Sequence, residues 1–226
     1  MKQATTILFA ILTAGALIAQ APLPPNYKTI FENPDLLVMH VHYGAHEFVP
    51  MHDHPAVATM FVYLNDSGEV DITHEGPNAF TAQRPPTHTG AYRIAPAMAE
   101  RHSVTSHSDT DSEFLRVEFK RFPPTDLKQP VRGEAPTSPT PGIHAEFRDA
   151  ALRVDRIFCA ANGPCSVPPT SVRSLLIAIQ STNLQTPTGE RHLEAGQVVW
   201  LPANSKGPFT LSPAAQCLRV SLLYPE

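Results

Sequence analysis

The chain has 226 residues, 42% hydrophobic and 17% charged, which excludes a disordered polypeptide and leaves room for one large or two small domains. A net charge of -4 with no basic block gives nucleic-acid binding no electrostatic support. The 24 prolines argue against long helices and favour short strands joined by turns.

In chain order, Met1-Lys-Gln precedes an apolar run from Ala4 to Ala21, the layout of a secretory signal. Ala19-Gln-Ala21 fits the small-x-small cleavage pattern, with Ala14-Gly-Ala16 as a rival, and an uncleaved membrane anchor is the alternative. Removal of 1–21 predicts a periplasmic or secreted protein, with no membrane contact afterwards. Leu36 to Tyr43 alternates as a strand, with Val38, His40 and His42 on one face. Val57 to Leu64 is almost continuously apolar, as in a strand buried on both sides. Asn65-Asp-Ser-Gly68 reads as a turn, Glu69 to His74 as the return strand of a hairpin, and Phe114 to Phe119 as a further strand. Phe122 to Gly142 is proline-rich and reads as an extended linker. Cys159 and Cys165 flank a turn-like segment, and either a bridge or two reduced thiols is open, while Cys217 belongs to an apolar strand. Leu175 to Ile179 and Val198 to Leu201 are strands of the second half.

The two halves repeat. Phe31-Glu-Asn-Pro-Asp-Leu36 matches Phe147-Arg-Asp-Ala-Ala-Leu152, Val49-Pro50 matches Val167-Pro168, Gly90 to Ala97 matches Gly196 to Ala203, and Leu115-Arg-Val matches Leu218-Arg-Val. Regular short strands without a helical period indicate a sandwich or a closed jelly roll. The first repeat carries extra length in Glu75 to Thr89, either a lid or a plain surface loop.

Chemistry concentrates in Val49-Pro-Met-His-Asp-His-Pro55. Histidines one residue apart on a strand share a face, with Cα atoms about 6.5–7 Å apart, so His52 and His54 can reach one ion. His102, from a neighbouring antiparallel strand, can complete the set. Imidazole nitrogens suit a divalent metal, iron or zinc first, with manganese, nickel and copper open; a metal-free polar interior holding an organic ligand is the alternative.

The run Asn33-Pro-Asp-Leu-Leu-Val-Met-His-Val, Pro50-Met-His-Asp-His-Pro55 and then Gly90, Pro96, Ala97 and His102-Ser-Val104 resembles the cupins. The resemblance implies an all-β chain of two tandem cupin-like jelly-roll barrels, over 27–121 and 143–226, with 122–142 between them. It implies metal ligands at His52, His54 and His102. The usual glutamate four or five residues after the second histidine is replaced by Ala58 or Thr59, and strand parity places Ala58 on the face of His52 and His54. Met60 and Val62, of the same parity, would wall the pocket. In the second repeat the matching positions are Thr170, Val172 and Pro208, which predicts a metal-free, degenerate barrel.

Among other polar residues, His40 and His42 read as structural, His46 and His107 as loop residues, His74 as a surface residue and Glu100 and Arg101 as rim charges, with Glu100 alternatively a partner of His102 or an acid/base. His88 is the nearest outside recruit to the pocket. Arg116 and Arg219 occupy equivalent places and read as structural ion pairs. Three functions remain open: a metal-dependent enzyme of oxygenase or hydrolase type, a non-catalytic protein binding a small molecule, sugar or metal, and a structural role in homo-oligomers.

Overall fold

Antiparallel strands carry all the regular structure of the described chain. The computed structural model describes residues 22–77, 79–121, 127, 129–205 and 207–224, and the signal-like segment 1–21 lies outside them. Among the described residues no helix occurs.

The first half builds one eight-stranded sheet from β1 (Tyr27–Glu32), β2 (Leu36–Tyr43), β3 (Phe48–Tyr63), β4 (Val70–His74), β5 (Phe80–Arg84), β6 (Tyr92–Ser106), β7 (Ser112–Phe119) and β8 (Val131–Gly133). The order is β1-β2-β7-β3-β6-β4-β5, with β8 added beside β6. The second half holds β9 (Gly142–Arg148), β10 (Leu152–Phe158), β11 (Cys165–Val167), β12 (Ser174–Ala178), β13 (Thr182–Thr186), β14 (Gly189–Leu193), β15 (Val198–Leu201), β16 (Phe209–Leu211) and β17 (Gln216–Leu222). They form sheets β15-β12-β17-β10-β9 and β11-β16-β13-β14. The result is two tandem jelly-roll barrels, as expected. Cys159 and Cys165 are bridged, and Cys217 is a buried free thiol.

The long strands β3 and β6 curl the first sheet into a barrel. Their ladder shifts register between Val49 and His52, between His54 and Val57, and between Val57 and Thr59. Pro50 and Pro55 fall in the first two gaps. Pro96 lies in the matching gap of β6, between Ala95 and Met98. Proline lacks the N–H that a regular ladder needs, so it settles where the ladder is already broken. Each bulge bends the strand and adds twist, letting one strand serve two faces of a barrel.

The duplication is visible atom by atom. Asn33 Oδ1 accepts from the amides of Asp35 and Leu36, and Asp149 Oδ1 accepts from those of Ala151 and Leu152. Gly90 and Gly196 both adopt positive φ, 81° and 80°. A Cβ on Gly90 would meet Ile179 of the second barrel at 3.2 Å, and one on Gly196 would meet Leu64 of the first at 2.6 Å. Ile179 and Leu64 are themselves equivalent, so the barrels meet through reciprocal contacts, as two copies related by a two-fold axis would.

That meeting is apolar. Leu36, Val38, Ala58, Met60, Val62 and Val117 of the first barrel share one buried cluster with Leu152, Val154, Leu175, Ile177, Leu218 and Val220 of the second. Here the sequence-based assignment of Ala58, Met60 and Val62 is corrected. They face this seam, not the histidine pocket, because the bulges after His54 invert the parity of everything downstream. Thr59, Phe61 and Tyr63 face the barrel interior instead. The two-sided burial expected for Val57 to Leu64 follows directly, with one side in the barrel and the other in the seam.

Buried polar contacts also cross the seam: Arg173 Nη1 meets Asp35 Oδ2 at 2.6 Å, and Arg156 Nη1 donates to the Gly90 carbonyl at 2.7 Å. Because each barrel would expose its half of the seam if parted, the chain should unfold in one cooperative transition. Gly196→Ala should lower that transition by about 1–2 kcal/mol through left-handed backbone strain, without splitting it. Denaturant titration followed by far-UV and near-UV circular dichroism measures both, and two resolved transitions would contradict the shared core.

Candidate metal centre

The bend in β3 turns His52 and His54 into the first barrel, where the ladder sets His52 opposite His102 of β6. All three are buried, at 3–5% exposure. One ring nitrogen from each lies within 4.8 Å of the others. Ring centroids stand 4.6 to 5.2 Å apart.

The hydrogen bonds fix which atoms are offered. His52 Nδ1–H donates to the Pro50 carbonyl at 2.8 Å, so Nε2 carries the ring's lone pair. The Tyr27 hydroxyl donates to that Nε2 at 2.9 Å, and Tyr43 meets Tyr27 at 2.7 Å. Both nitrogens of His54 and Nδ1 of His102 are buried with no hydrogen-bond partner. A buried polar atom left unpaired costs about 1–3 kcal/mol. Coordination of one cation would satisfy the orphaned acceptors, so the donor set fits a divalent metal bound by neutral imidazoles.

Solved structures place this architecture. A glyoxylate-induced protein from Pseudomonas aeruginosa superposes with a TM-score of 0.61 at 12% identity, over 91% of this chain and 85% of its own. Salicylate 1,2-dioxygenase from Pseudaminobacter salicylatoxidans gives 0.57 at 11%, over 86% and 75%. The bacterial pirin YhhW from Escherichia coli, solved in complex with nickel(II), gives 0.57 at 11%, over 87% and 90%. The chain has the cupin fold. No protein-family model and no curated protein matches the sequence.

Within this cupin fold the centre has charged neighbours, of which sequence reading left out Glu118. Glu118 Oε1 lies 3.8 Å from His54 Nδ1, and Glu100 Oε2 lies 3.9 Å from His102 Nδ1. Arg116 links the two carboxylates, at 2.9 Å from Glu118 and 3.4 Å from Glu100. The buried triad therefore carries about one net negative charge beside three neutral rings, a field that favours a cation. Glu100 is thus no solvated rim charge, since its partner is a buried arginine beside the centre. Arg101 is, pairing on the surface with Asp53 and Glu75. Arg116 makes the structural ion pair expected, as does Arg219 with Asp155 at 3.1 Å.

His74, expected at the surface, is the other omission. It lies opposite His102 on β4, with ring centroids 5.3 Å apart, and stacks on Phe80. Three adjacent strands thus carry the row His52–His102–His74. The remaining histidines stand elsewhere: His40 and His42 contact Glu113, His46 contacts Asp109, and His107 contacts Asp71. His88 is exposed near Asp66, away from the pocket. In the second barrel Thr170 hydrogen-bonds the Val172 carbonyl, and the barrel interior is the apolar cluster around Ile157, Leu176, Leu184, Phe209 and Leu211.

Burial lowers the pKa of all three histidines. His102 falls to about 3, with His52 and His74 adding repulsion. His54 falls further, with burial first and Arg116 second. His52 falls less, because the Pro50 carbonyl opposes burial. These rings are neutral when folded, whereas in the unfolded chain they protonate near pH 6.5. The unfolded state then binds more protons below that pH, so stability of the metal-free protein falls as pH drops from about 6.5. Thermal melts of chelator-treated protein between roughly pH 7.5 and pH 4 should show this decline, and it should be shallower in His102→Gln. Equal slopes in both proteins would contradict a buried neutral His102.

Proposed function

We propose that the first barrel is a divalent-metal centre acting on a small organic molecule, with His52, His54 and His102 as the protein ligands. The observation that carries this reading is the convergence of three buried imidazoles, with both nitrogens of His54 and Nδ1 of His102 lacking any hydrogen-bond partner. Iron or zinc is the first candidate, since three neutral nitrogens and no first-coordination carboxylate weaken the hold on harder ions such as Mg²⁺. When bound, such an ion supplies Lewis-acid polarisation or oxygen chemistry at its open positions.

The chain's own residues supply the rest. The Pro50 carbonyl orients the His52 ring, as second partners of metal-binding histidines do. The Tyr27 hydroxyl, 2.9 Å from His52 Nε2, is placed to hold a proton beside the centre. Glu100 and His102 both line a cavity walled by Tyr27, Phe61 and Phe114, which positions a substrate and excludes water. That cavity favours a centre that takes a small molecule, as a metal-dependent enzyme of oxygenase or hydrolase type or a non-catalytic small-molecule binder would, over a purely structural role. The Cys159–Cys165 bridge supports an exported, oxidising location.

Elemental analysis of purified protein tests the centre. Near-stoichiometric divalent metal is expected in the native chain and in Thr170→Ala/Val172→Ala, with loss in His52→Ala/His54→Ala. Full metal content in the histidine variant would refute the ligand set. A second measurement separates the two faces of β3. Ala58→Glu buries an unpaired carboxylate in the apolar seam, so it should cost several kcal/mol of stability, on the order of 3 or more, and leave metal affinity unimproved. Tighter Mn²⁺ binding in a stable Ala58→Glu protein would return Ala58 to the pocket.

A further inference from the structure

The first barrel holds more positive charge than its ion pairs use. Arg116 is neutralised by Glu100 and Glu118. Arg84 and Arg93, which line the same cavity as His102, are not. Arg84 donates to the hydroxyls of Thr87 at 3.1 Å and Ser112 at 3.4 Å and interacts with Tyr63, all uncharged partners. Arg93 lies over the Phe61 ring at 4.4 Å, and its buried Nε has no hydrogen-bond partner. Among the described residues neither arginine forms an ion pair with a carboxylate.

A third arginine aggravates the imbalance. The ladder of β6 and β8 sets Arg132 directly opposite Arg93. Like charges facing each other across strands destabilise a sheet. An adjoining cavity shares Tyr63, Ile72, Arg84 and Arg93 with the inner one, and adds Arg132 and the exposed Pro85 and Pro86. Glu134 also lines it, without pairing to any of the three. Burial depresses the pKa of Arg84, and the charge of Arg93 adds to the effect. Guanidinium groups gathered with no carboxylate paired to them among the described residues, two of them over aromatic rings, are an arrangement that an anion completes.

We propose that Arg84 and Arg93 form an anion site for the carboxylate of a small organic acid, with Arg132 at its mouth and the acid's apolar body lying towards His102. The aromatic and aliphatic walls, Phe61, Tyr63, Ile72 and Phe114 among them, suit a short apolar body. The extra segment of the first repeat, Glu75 to Thr89, thereby acquires a role, since it delivers Arg84 on β5. The proposal names the substrate class of the cavity read above as the reaction site, but anion binding itself needs no metal and is measured without one.

The test is isothermal titration calorimetry at fixed ionic strength, with butyrate and its neutral isostere butyramide, on chelator-treated full chain. Butyrate should bind and butyramide should not. Arg93→Gln and Arg84→Gln should each weaken butyrate roughly tenfold or more, as expected for loss of a charge-assisted hydrogen bond. Arg132→Gln, at an exposed position that does not threaten folding, should weaken it several-fold. The His52→Ala/His54→Ala chain should still bind butyrate, so a failed metal reading leaves this outcome intact. Absence of butyrate binding, equal binding of butyramide, or unchanged affinity in the arginine variants would overturn the proposal.

Discussion

The bend in the β3–β6 ladder is the constraint on which the rest depends. Upstream of it, β3 presents His52 and His54 to the barrel interior. Downstream, the same strand sends Ala58, Met60 and Val62 into the seam and Phe61 and Tyr63 into the pocket. Without the bulges at Pro50, Pro55 and Pro96, a single straight strand of 16 residues would have to keep one parity throughout. Either the histidines or the aliphatic residues would then face the wrong environment. The three prolines break the ladder where proline's missing N–H costs least.

The seam explains how the first barrel tolerates its interior. Three buried neutral imidazoles, two of them with unpaired nitrogens, an Arg116–Glu118–Glu100 triad and two arginines outside any ion pair among the described residues all oppose folding. A barrel with such an interior would be marginal alone. The second barrel carries the same scaffold with an interior of Ile157, Leu176, Leu184, Leu193, Phe209 and Leu211. One of its sheets offers an apolar face to the first barrel, so the two halves share one buried cluster.

Period and spacing made the fold legible. Alternation in Leu36–Tyr43, the matched Gly-to-Pro intervals and the paired leucine-arginine-valine runs are local features, and local features survive in one dimension. The histidine trio was legible too, because two of its members stand one residue apart and the third sits in a recognisable motif. Parity beyond His54 was not, since period-two reasoning carries no memory of an inserted residue. Pro55 was the available signal: a proline inside an apparent central strand points to a bulge.

Cross-strand neighbours were the other blind spot. Glu118 reaches His54 from β7, Arg132 meets Arg93 from within the supposed linker, and His74 on β4 joins His102 on β6. None of these pairs is close in sequence, and a register cannot be assigned until the strand order is known. The second barrel gives a partial guide after the fact. Where Arg116 and Arg219 coincide, the role is structural in both. Where the copies part, as at Glu118 against Ser221, the difference falls beside the histidines. Residues that distinguish two copies of one scaffold are therefore the ones to place first when only one copy holds a site, because whatever the copies share has already been explained by the fold.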